Sequence, residues 1–140
     1  WLERTACACD DSSAVVSTLA GTGQAGRVDG TSASATFFAP YGVALAPDES
    51  FALVTDQGHS LVRRVEMMSD GAVSTVAGAG FEGSADGVGS AAQFFLPSGI
   101  AIAPGGATAY IADAGNHKVR RLELGTRAVS SAAGTGAEGG

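Results

Sequence analysis

Aromatic side chains, histidine, cysteine and positive charge are all scarce in this chain of 140 residues, and each shortage closes off a class of protein. Aromatics are 6% of the residues against 45% hydrophobic overall, with 21 glycines. The apolar content is therefore mostly Ala, Val, Leu and Ile, which suits short strands joined by tight turns and speaks against long helices. Eight Lys and Arg stand against fourteen Asp and Glu, a net charge of -6. The bases gather nowhere beyond the pairs Arg63-Arg64 and Arg120-Arg121, whereas a nucleic-acid surface carries a basic footprint; no nucleic acid is expected as a partner. No apolar run approaches the roughly 18 residues of a membrane helix, so no membrane span is expected. Trp1 is preceded by no initiator Met and followed by no apolar leader core, which suggests a processed or truncated start.

Cys7 and Cys9 are the two cysteines. On a strand this spacing sets both thiols on one face, about 7 Å apart. That suits disulfides to separate partners better than a bond to each other; two small buried thiols are the alternative. A metal shell is not expected there, because no His or further Cys lies nearby to complete it.

What the chain does have is a repeat, and a period found first settles the rest. Val16-Ser17-Thr18-Leu19-Ala20-Gly21 recurs 57 residues later as Val73-Ser74-Thr75-Val76-Ala77-Gly78. The same shift carries Asp29-Gly30 onto Asp86-Gly87, Phe37-Phe38 onto Phe94-Phe95, Pro40-Tyr41-Gly42-Val43 onto Pro97-Ser98-Gly99-Ile100, and Asp56 onto Asp113. A third partial copy opens at Val129, one residue short of that shift. Within a copy the pattern has period 2, as in Gly99 to Pro104, and strands are expected there, over Thr108 to Asp113, Val119 to Leu124 and Arg127 to Ala133. At the turn after Asp113, Gly115 is expected to supply a positive φ and the Asp113 carboxylate to accept backbone N–H groups. Four short antiparallel strands with neither face wholly polar must be covered on both sides, so neighbouring copies must stack.

Pro97-x-Gly99-Ile100-Ala101, Tyr110-Ile111-Ala112-Asp113 and Asn116-His117-Lys118-Val119-Arg120 resemble the NHL repeat, a family whose members form β-propellers. The resemblance covers nearly the whole chain and departs from the family at His59-Ser60, where its Asn-His pair would stand. The resemblance implies an all-β propeller segment of four-stranded blades. Residues 1–21 would be the last two strands of a preceding blade, 22–78 and 79–135 two connecting loops each with a complete blade, and 136–140 the start of another loop. A propeller needs four to eight blades, and six at this period require roughly 340 residues; a segment of a longer polypeptide is expected in preference to a subunit completed by copies. The period exceeds the usual blade by the stretch Gly78 to Phe95, which reads as an ordered loop whose Phe pairs wedge between blades.

The residues that could carry chemistry mostly repeat in place, as turn and strand residues do. Asp56 and Asp113, Gly58 and Gly115, Arg63-Arg64 and Arg120-Arg121 are such pairs, with Asn116-His117 in the second copy alone. His117 is expected as a turn histidine bonded to nearby backbone. In each arginine pair one member is expected to reach a neighbouring blade's carboxylate or carbonyls and the other to be solvated, with an acidic-partner stripe as the functional alternative. Asp29-Gly30 and Asp86-Gly87 read as Gly-assisted turns, with oxygens of the kind calcium takes; no other cofactor is expected. Ser12-Ser13, Thr31-Ser32 and Ser34 could take O-linked sugars.

No catalytic residue is expected. The reading is a non-enzymatic extracellular or cell-surface module, structural or protein-binding, with further blades, copies of itself, other proteins or glycans as partners, and a filament as one form of assembly. The alternative is an arc of a metal-dependent propeller lyase or lactonase-like hydrolase whose site lies elsewhere.

Overall fold

A computed structural model describes residues 15–137. The first repeat forms β1 (Pro40–Leu45), β2 (Phe51–Asp56), β3 (Leu61–Glu66) and β4 (Val73–Ala77), an antiparallel meander in sequence order. The second forms β5 (Gly87–Val88), β6 (Pro97–Ile102), β7 (Thr108–Asp113), β8 (Lys118–Glu123) and β9 (Ala128–Ala133), in the order β5-β9-β8-β7-β6. The register keeps the period-2 pattern in step: Val43 faces Val54 and Leu45 faces Ala52, as Ile100 faces Ile111 and Ile102 faces Ala109. Both repeats bulge at the Pro-x-Gly segment and again at the start of their third long strand, so the copies share their irregularities as well as their strands.

The second sheet has five strands rather than the four expected. Its connecting loop travels out to the edge, pairs Gly87 with Val129 and Val88 with Ala128, and then returns to begin β6. In the first repeat the same excursion leaves a single bridge, Gly30 to Val73. Val15 to Ala20, expected as the fourth strand of a preceding blade, carries no strand; the ladder it would join, Thr5 to Cys9, lies outside the described residues.

The main core lies between the sheets. Leu53, Val62, Val76 and Ala77 of the first meet Phe94, Ala109, Ile111, Leu122 and Val129 of the second, with Ile100, Ile102 and Leu124 packed against them. Phe94 is thus a wedge between blades, and a buried side chain of this kind contributes about 1.5–3 kcal/mol. At the inner strands the sheets touch through backbone. Thr55 Oγ1 donates to the Ser98 carbonyl at 2.6 Å and accepts from the Gly42 N–H at 2.8 Å. A Cβ at Gly42 would run into that same Ser98 oxygen, so the glycine of Pro-x-Gly sits where the next blade comes closest.

Candidate functional site: two arginine-centred clamps

The charged residues that repeat converge, in each blade, on one buried guanidinium. Arg63 projects from β3 and is fully buried. Its Nη1 donates to Asp56 Oδ2 at 2.9 Å and to the Thr36 carbonyl at 3.0 Å; its Nη2 donates to Asp29 Oδ1 at 2.7 Å and to the Val28 carbonyl at 3.0 Å. Arg120 on β8 repeats the set with Asp113 Oδ2 at 2.8 Å, the Gln93 carbonyl at 2.9 Å, Asp86 Oδ1 at 2.7 Å and the Ala85 carbonyl at 2.9 Å. Burying a guanidinium is tolerable only when its donors are met and its charge is balanced. Two carboxylates and two carbonyls do this in each clamp, while Nε of both arginines has no partner among the described residues and the guanidinium carbons lie 5.1 Å from the Phe37 centroid and 5.4 Å from the Phe94 centroid.

The carboxylates tie the clamp to three segments. Asp56 and Asp113 close β2 and β7, and their other oxygens accept the Phe38 and Phe95 N–H groups at 2.7 and 2.8 Å. Asp29 Oδ2 accepts the Thr75 N–H at 2.9 Å and its Oδ1 the Thr75 hydroxyl at 3.0 Å; Asp86 accepts the Ser131 hydroxyl at 3.2 Å. The long connecting loop is therefore ordered because an arginine holds it from inside and the outer strand holds it from the edge. Burial works to raise the Asp86 carboxyl, and the bonds from the Ser131 backbone and hydroxyl and from Arg120 outweigh it, leaving it below its ordinary value.

Several expectations change here. Among the described residues Arg63 and Arg120 reach no neighbouring blade, because both carboxylates come from the arginine's own repeat, 7 residues before it and 34 residues before it. Asp29 and Asp86 are arms of the clamp as well as turn residues. Gly115 does not supply the positive φ; His117 does at 54°, and Ser60 does at 55° in the first blade. Gly58 and Gly115 serve a steric need instead, since a Cβ at either would collide with the Phe38 or Phe95 ring. Asp113 accepts a distant N–H, from Phe95, and none from its own turn.

Asn116 donates to the Gly83 carbonyl at 2.7 Å and to Asp113 Oδ2 at 2.8 Å, joining the second clamp to the loop. His59 takes that place in the first blade, with Nδ1 3.7 Å from Asp56 Oδ2 and without a hydrogen-bond partner among the described residues, edge-on to Phe38 at 5.4 Å. His117 is exposed. Arg64 lies over the Phe51 ring at 3.8 Å and pairs with Glu66 at 2.6 Å; Arg121 pairs with Glu123. Thr31 and Ser34 share a hydroxyl contact at 3.1 Å. Cys7, Cys9 and Ser12-Ser13 fall outside the described residues, and among the described residues no group of three His, Cys, Asp or Glu side chains is placed to hold a metal ion. The spacing of 34 between Asp and Arg, identical in both copies, was the signal that could have linked Asp29 and Asp86 to the arginines.

At their buried centres the clamps are closed. Each arginine has its Nη donors directed at protein acceptors, and Asp56 and Asp113 have both oxygens on protein donors, so the cluster braces three segments, while Asp29 and Asp86 stand about half exposed at its edge.

The clamps and the stacked sheets belong to a segment of a β-propeller. No family model matches the chain. It is 30% identical over 129 residues to Protein SUPPRESSOR OF QUENCHING 1, chloroplastic, of Arabidopsis thaliana, covering 86% of this chain and 12% of that protein. Among solved structures it resembles a Bacteroides thetaiotaomicron protein of unknown function (TM-score 0.59, 26% identity, 79% of this chain and 25% of that one). It also resembles an auxiliary nutrient binding protein of the same organism (TM-score 0.57, 21% identity, 66% and 25%). The chain thus spans about an eighth of the curated relative and a quarter of these solved chains.

Proposed function

We propose that this chain is an arc of an NHL-type propeller serving as a non-enzymatic scaffold or interaction module, with each open blade face packing on a further blade of the same polypeptide or on a copy of the chain. The carrying observation is that the two open faces are copies of the two halves of the buried interface. Val43 and Leu45 are 68% and 54% exposed, whereas Ile100 and Ile102, their equivalents, pack against the core between the blades. On the other side Tyr110 and Val119 are 43% and 40% exposed, while their equivalents Leu53 and Val62 are wholly buried. Apolar faces of this kind mark association surfaces, and joining two unlike faces head to tail gives a ring or an open filament. The closed clamps support the non-enzymatic reading.

Sedimentation of the 140-residue chain tests it. Concentration-dependent association that weakens in Val43→Glu and in Val119→Glu is expected, and a monomer at every concentration sinks the docking role of these faces. Extracellular placement, with glycans among the partners, is supported by the acidity and by Cys7 and Cys9; the chloroplast named for the relative favours a second location. Thiol labelling of the native protein separates them, since cysteines unreactive until reduced are expected outside the cell and freely reactive ones in a reducing compartment.

A further inference from the structure

Between β3 and β4 of the first blade and the β8–β9 turn of the second lies a cleft of about 210 Å³, lined by Arg64, Glu66, Ser74 and Arg127, with Leu124 beside them and the buried Leu53 and Val76 beneath. That volume is close to seven waters' worth. Arg64 enters it pre-set. Its guanidinium is stacked on Phe51, with Nε and Nη2 on Glu66 at 2.6 and 3.2 Å, and three of its five N–H groups are left without a partner among the described residues. Arg127 makes no side-chain hydrogen bond or ion pair among the described residues. It stands at φ 60° in the turn between β8 and β9, at the place where the first blade's turn has Gly71 at φ 70°. A left-handed position that the repeat elsewhere fills with glycine is here occupied by an arginine lining a cleft. Residues held in this region carry a conformational cost and cluster at ligand clamps and active sites.

We infer that this cleft binds a small monocarboxylate. The carboxylate lies between Arg127 and the free edge of Arg64, where charge-assisted bonds are strongest. Glu66 leaves the cleft a single net positive charge and repels a second negative one, which disfavours phosphate. Neither blade suffices alone, since Arg64 belongs to the first and Arg127 to the second. The inference does not depend on what covers the open blade faces.

Benzoate titrated into the 140-residue chain, followed by amide shifts of Ser74 and Arg127, is the test, with benzamide as the neutral isostere. Saturable low-millimolar binding is expected, roughly tenfold or more weaker for benzamide and for Arg127→Gly. Arg127→Gly restores the residue of the sister turn, so it should fold at least as well as the parent; Arg64→Gln provides a second loss of binding. No saturable shift at these amides, equal binding of benzamide, or undiminished binding by both variants overturns the site.

Discussion

In the second blade the clamp is closed by Asn116, which bonds both Asp113 and the loop carbonyl of Gly83; in the first, His59 stands in that place with its Nδ1 unpartnered. Everything else in the two clamps matches to within about 0.1 Å in the charged contacts of Arg63 and Arg120. The Asp-Arg-Asp triad is therefore the part the blade cannot do without, and the amide is an added tie. A second contrast runs beside it. Phe94 is fully buried between blades, whereas Phe37 is only partly covered beside its own smaller cluster. The same sequence element contributes differently according to whether a neighbour is present.

The largest effect should come from opening the second clamp. Arg120→Met leaves Asp113 buried without its counter-charge, a loss of about 3–5 kcal/mol, which approaches the whole stability of a small unit. Urea unfolding followed by circular dichroism checks it, and a cost below about 1 kcal/mol would show that the triad is incidental to the fold. Next comes the Phe contrast. Phe94→Ala should cost about 3–5 kcal/mol and Phe37→Ala less than half of that in the isolated chain. Equal costs would break the comparison by showing that the blade interface adds nothing to Phe94.

The repeat, the strands and the stacking were legible because period-2 alternation and turn residues act locally, and a 57-residue shift then placed both copies at once. Of the Phe pairs read as wedges from apolar bulk inside a polar loop, Phe94 takes that role, while Phe38 is 47% exposed and Phe95 lies against Gly115. What was not legible depends on contacts across sequence. Asp29 looks like a turn residue because its neighbour is Gly30, and only folding brings it to Arg63 and Thr75. Gly115 looks like a source of positive φ because glycine usually is; the Phe95 ring pressed against it gives the actual reason. Arg127 reads as the first residue of a strand, and its φ of 60°, like that of Gly71 at 70°, puts it in the turn before β9 instead.

Exchanging the tie residues sharpens the first contrast at a smaller scale. His59→Asn should gain about 0.5–1.5 kcal/mol by giving Asp56 Oδ2 a short donor, and Asn116→His should lose a similar amount. Thermal unfolding of both variants checks this. If His59→Asn loses stability, the edge-on contact with Phe38 matters more than the missing hydrogen bond.

The smallest effect concerns the exposed arm of the second clamp. Asp86 titrates below its ordinary value in the folded chain, so the unfolded chain binds its proton first as pH falls from about 5. Its contribution is then fully present above the unfolded pKa, near 3.9, and is lost as pH drops through the folded value. The side chain is 53% exposed, so solvent screening limits the contribution to about 0.2–1 kcal/mol. The stability difference between the parent and Asp86→Asn should be constant from about pH 7 to pH 5 and shrink below about pH 4. A difference that stays unchanged down to about pH 3 would mean that neither the Ser131 hydrogen bonds nor Arg120 favours the charged carboxylate over the protonated one.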